Sequence, residues 1–98
     1  MAVAVLQMAL IGPVAEDILF RGVMYGRFRA SGYPVSGAFI TAALFALCHN
    51  GTAVALIQIG VMGCALAWLY DRTESLWPPI LLHSVNNLAV VLTFAALR

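Results

Sequence analysis

The chain has 98 residues, of which 63% are hydrophobic and only 9% charged, against about 25% charged in an ordinary water-soluble domain. A net charge of +1 with no run of lysines excludes nucleic acid as a partner, because that binding needs clustered cations facing phosphate. Residues 30–70 and 75–97 carry no Asp, Glu, Lys or Arg, so the expected fold class is all-α, a multi-pass transmembrane bundle of about four helices.

The first helix is expected over residues 3–28. Glu16, Asp17 and Arg21 interrupt its apolar composition, and Gly32 and Pro34 supply the turn that ends it. Its opening lacks the basic region of a signal peptide and leads into more apolar sequence, which points to a membrane helix and to a core taken from a longer protein. A second, short segment is expected over 35–48, only about 21 Å long at 1.5 Å per residue, and it stops at His49 inside protein or a water-filled pocket. A turn at Asn50-Gly51-Thr52 leads to a third helix over 53–70. A polar loop from Asp71 to Ser75 precedes Trp77-Pro78-Pro79, and the last helix is expected over 79–97 with proline in its first turn, where no helical N–H is lost. Period-two alternation, which a barrel strand needs, is absent.

Small residues spaced by four, Ala38, Ala42 and Ala46 on the second helix and Gly60 and Cys64 on the third, favour close helix contact. Cys48 and Cys64 have no CxxC spacing and read as small packing residues. Trp68, Tyr70 and Trp77 gather at one boundary as an aromatic belt. Arg27, Arg29 and Arg72 share one side, so the loops near 27–34 and 71–77 are expected in the cytoplasm, with Arg98 alone opposite.

Polar side chains inside membrane segments are costly and mark function. Counting helical rise from the loop ends places Glu16, His49, His83 and Asn87 in one slab of the bilayer, with depths of roughly 9 to 21 Å. Asp17 and Arg21 are four apart and can pair, which leaves Glu16 as the acid free to take a proton from water. His83 and Asn87, also four apart, share a face and can meet one reacting atom. Asn86 and Gln58 read as interhelical hydrogen-bond residues.

Glu16-Asp17-Ile-Leu-Phe-Arg21 resembles the EExxxR motif of the CAAX protease and bacteriocin-processing (CPBP, or Abi) family of intramembrane proteases, related to the type II CAAX prenyl endopeptidases. Phe45-Ala-Leu-Cys-His49 is similar to its FxxxH motif and His83-Ser-Val-Asn-Asn87 to its HxxxN motif. Asp17 stands where the family usually has Glu. The resemblance implies that the whole chain, 1–98, is a protease core within a longer multi-pass protein. It further implies that Glu16 activates water with His49, that His83 and Asn87 stabilise the oxyanion, and that Asp17, Arg21 and Phe45 support them. No cofactor is expected; the alternative is Zn2+ held by Glu16, His49 and His83, without the HExxH helix of soluble zinc proteases. The implied partners are the lipid bilayer and a peptide or membrane-protein substrate, either a prenylated CAAX terminus or a bacteriocin-like peptide.

All five cations are Arg, which favours a GC-rich prokaryotic source and hence a bacterial cytoplasmic membrane. Two rival classes use the same residues. A proton-coupled transporter calls for an internal repeat, which the sequence lacks. A non-catalytic immunity or scaffold protein would tolerate Glu16→Gln.

Overall fold

The computed structural model describes residues 2–97 and contains no strand among them. Four helices follow one another: α1 (Ala2–Ala30), α2 (Pro34–Leu47), α3 (Ala53–Thr73) and α4 (Trp77–Ala96). Three of them, α1, α3 and α4, are long and apolar enough to cross a membrane, and α2 is not. The longest dimension is 46 Å, close to a bilayer with its headgroups. Arg98, the cation expected on the far side, lies outside the described residues.

The distribution of side chains is that of a protein in lipid. Large apolar residues such as Phe39, Ile57, Val61 and Phe94 are each at least 65% exposed, while Asp17, Arg21, Thr41 and His83 are buried. The apolar part of the core is small: Phe20, Phe45, Leu66 and Ile80 close around those polar groups.

α1 is not uniformly wound. It widens into π-helical turns over Gln7–Ile11 and Ile18–Tyr25, a form that hydropathy cannot foretell. The first has a local cause. The Gly12 N–H bonds the Gln7 carbonyl five residues back, so the next bond in that register would run from residue 13 to Met8. Residue 13 is a buried proline without an N–H, and the Met8 carbonyl is left to seek a partner elsewhere.

At the junction with α2, Gly32 takes a φ of 88°, the left-handed region that suits glycine, and Pro34 opens α2. Thr52 caps α3 by accepting from the Ala55 N–H at 3.2 Å. α3 runs to Thr73 rather than ending at Tyr70, so Asp71 and Arg72 belong to a helix end and not to the expected loop. Two things carry it on: Glu74 adopts the left-handed conformation, its N–H closing on the Tyr70 carbonyl, and Asp71 is held by Tyr25 and Arg29. α4 likewise starts earlier than expected, at Trp77, with Pro78 and Pro79 in its first turn.

α2 and α3 form the tightest helix pair. A Cβ on Gly63 would stand 3.0 Å from the Ala42 Cα, and one on Gly60 would touch Ala46 at 3.9 Å. The alanine stripe is thus met by glycines, with Gly63 rather than Cys64 at the closest approach. Cys48 is exposed and does not pack as expected, because it caps the end of α2.

The first and third loops sit at one end of the bundle, joined by Arg29, which pairs with Asp71 at 2.9 Å and Glu74 at 2.8 Å. Trp68 and Trp77 point outward there, 61% and 70% exposed, as an aromatic belt requires. Away from that end the helices part. The Gln7–Ile11 stretch of α1 packs on α4, whereas the Ile18–Tyr25 stretch packs on α2 and α3. A cleft therefore opens between α1 and α4 on one wall and α3 on the other.

Candidate active site

The cleft holds a cavity of about 790 Å³ whose polar lining includes Glu16, His49, His83 and Asn87. Glu16 reaches it from α1, His49 from the end of α2, and His83 and Asn87 from α4.

Glu16 is the meeting point. Its Oε1 lies 3.3 Å from His83 Nε2 and its Oε2 lies 3.7 Å from His49 Nε2. Its side chain is 33% exposed, enough for water to reach it. Each imidazole is fixed by its other nitrogen. His49 Nδ1 is 2.7 Å from the Phe45 carbonyl, which only accepts, so Nδ1 carries the proton and Nε2 faces Glu16 with a lone pair when the ring is neutral. This bond also satisfies a carbonyl in the last turn of α2, which has no helical partner. His83 Nδ1 is 2.9 Å from Asp17 Oδ2 and donates to it.

Asp17 is fully buried and serves two partners. Beyond His83 it faces Arg21 Nη1 at 3.4 Å, held by charge, since neither Asp17 Oδ1 nor Arg21 Nη1 makes an aligned hydrogen bond. Arg21 is in turn secured by a bond from Nη2 to the Gly63 carbonyl at 3.2 Å and by the Phe45 ring 4.5 Å below its guanidinium. That ring also packs edge-on against His49, His83 and Phe20, with centroids 4.8, 5.5 and 5.3 Å away. Phe45 is therefore the apolar hub on which both histidines and Arg21 rest.

The expected pair of Asp17 and Arg21 is present; the link from Asp17 to His83, 66 residues away, is the part sequence reasoning missed, because nothing in local spacing reports it. Asn87 lines the same cavity, but its Nδ2 donates to the Met8 carbonyl at 2.7 Å, the acceptor that Pro13 sets free. One of its amide protons is thereby committed and the second remains. Gln58 and Asn86 make no interhelical hydrogen bond among the described residues, contrary to expectation; both face the cavity, where the helices have diverged.

The donor set also bears on a metal. Glu16, His49 and His83 are the right donors for zinc, and both outward Nδ1 atoms are anchored as ligating imidazoles require. With Nε2 of each ring 3.3 and 3.7 Å from the Glu16 carboxylate, these three side chains are not gathered as a ready-made metal cluster among the described residues.

A sequence model of the Rce1-like type II CAAX prenyl endopeptidases matches residues 1–89. The chain belongs to this family. Among its relatives are the putative membrane peptidase YdiL of Bacillus subtilis (strain 168), 30% identical over 84 residues that make up 86% of this chain and 34% of YdiL. The membrane-embedded CAAX protease MroQ of Staphylococcus aureus (strain USA300) is 34% identical over 90 residues, 86% of this chain and 36% of MroQ. The chain thus spans about a third of the length of these two relatives. No solved structure matches it.

Proposed function

We propose that this chain forms the catalytic core of an intramembrane endopeptidase in which Glu16 activates water. The observation that carries this reading is the convergence of one accessible carboxylate on two imidazole Nε2 atoms whose Nδ1 atoms are both anchored outward. A water bound there gives one proton to Glu16 and hydrogen-bonds its other proton to His49 Nε2. The water oxygen attacks the carbonyl carbon of the scissile bond, and the carbonyl π electrons move to oxygen. His83, protonated at Nε2 and balanced by Asp17, donates to that oxyanion together with the second amide proton of Asn87. Glu16 then returns its proton to the departing amine as the C–N bond breaks.

The substrate in this reading is an apolar peptide segment reached within the membrane, and the Arg29 end faces the cytoplasm. Labelling of a cysteine placed at Ser31 only from the cytoplasmic side supports that orientation, and labelling only from the opposite side reverses it.

The test of the chemistry is cleavage of a fluorogenic peptide panel, farnesylated and not, by the detergent-purified full-length parent. Glu16→Gln is expected to abolish cleavage with the thermal midpoint unchanged, and a strong zinc chelator is expected to leave wild-type cleavage intact. Loss in chelator moves the assignment to a metal-dependent site. Cleavage that survives Glu16→Gln removes Glu16 as the base.

A further inference from the structure

Besides Asn87, three more uncharged amides line the cavity, on three different helices: Gln7 on α1, Gln58 on α3 and Asn86 on α4. None of them is hydrogen-bonded to another described residue. Gln7 and Gln58 are exposed and Asn86 is half-buried, so three amides with no protein partner stand open to the cleft beside the apolar Ile59, Met62 and Val90, a lining suited to a ligand that is polar along its length and apolar at its sides.

A substrate peptide presents that description only when it is unwound. A helix about 10 Å across has its backbone bonded to itself, so its scissile carbonyl is hidden from Glu16. An extended segment exposes the carbonyl, but it also strips neighbouring N–H and C=O groups of their partners, which lipid cannot replace. A carboxamide carries a donor and an acceptor on one rigid group and can therefore answer either kind of backbone vacancy, whatever the side chains are. The two walls of the cleft supply such groups from opposite sides.

We infer that Gln7, Gln58 and Asn86 are the residues that hold the substrate backbone in extended form beside Glu16, while Ile59, Met62 and Val90 receive an apolar side chain of the same segment. The inference rests on the protease reading and assigns these three amides positioning roles, separate from the reacting groups.

The experiment uses the full-length protein in detergent with one apolar peptide and a series of its analogues, each with a single backbone N–H replaced by an ester oxygen. Gln7→Met and Gln58→Met keep side-chain length, and Asn86→Leu keeps shape. Each is expected to raise KM about tenfold, the worth of one good hydrogen bond, with kcat little changed. At least one ester is expected to weaken wild-type binding by a similar factor and to cost the matching variant nothing. Unchanged KM in all three variants overturns the inference, as do ester penalties of equal size in wild type and variants. A loss of fold in a variant does not blur the result, since a wild type indifferent to every ester is itself disproof. If wild type cleaves no peptide, the protease reading fails separately. Kd for the same peptides then decides: about tenfold weaker binding by the variants upholds the backbone site, and equal binding removes it.

Discussion

Asp17 is the residue whose role grows most between sequence and structure. Spacing makes it a partner of Arg21, whereas its shortest contact is with His83 Nδ1 at 2.9 Å. The shorter acid reaches the imidazole from a fully buried seat. Asp17→Asn removes the charge that balances a protonated His83 and is expected to lower kcat by about 10² to 10⁴-fold, as loss of the orienting acid does in hydrolytic triads, with KM nearly constant in steady-state peptide cleavage. Arg21→Ala has a different signature. It strands a buried carboxylate and frees the Gly63 carbonyl, and is expected to cost about 3–5 kcal/mol, visible as a lowered thermal midpoint in detergent; a wild-type midpoint contradicts it. Glu16, His49 and His83 were legible as a set because three short motifs carry them at compatible depths. The tie of Asn87 to Met8 was not, since it depends on a carbonyl that only the backbone of α1 exposes.

At the scale of elements, breakers and hydropathy located four helices with boundaries displaced by two residues at most, apart from the polar end of α3, which runs three residues further. That end is helical because Asp71, a loop residue by its polarity, meets Tyr25 and Arg29 across the bundle. The stripe of small residues was legible on α2, but its counterpart on α3 was assigned through Cys64 when Gly63 makes the closest contact. A methyl group at Gly63 meets the Ala42 backbone at 3.0 Å and Arg21 Nη2 at 3.3 Å. Gly63→Ala is thus expected to destabilise by about 1–3 kcal/mol and to lower activity as Arg21 shifts, whereas Gly60→Ala, whose methyl group would meet Ala46 at an ordinary contact distance of 3.9 Å, is expected to leave both almost unchanged. Thermal unfolding and peptide cleavage on the two variants side by side check this. The π-helical turns of α1 escaped sequence reasoning for a plain reason: widening a turn changes which residues share a face without changing how apolar they are.

For the molecule as a whole, all-α membrane architecture followed from composition, but the divergence of its walls did not, because composition does not say where helices part. The cleft suggests a direct test of access. With Cys48 and Cys64 replaced by alanine, cysteines at Ala55 on α3 and Val90 on α4 joined by a short thiol-reactive linker are expected to block cleavage, and either single cysteine treated identically is expected to retain it. The closed end has its own significance. Arg29 and Asp71 are each 35% exposed and Glu74 is 71% exposed, so the clasp that joins the helix ends lies within reach of water and ions. Exposed ion pairs are screened by salt, so raising the ionic strength is expected to lower the thermal midpoint of the wild type in detergent, and Arg29→Met is expected to lose most of that salt dependence.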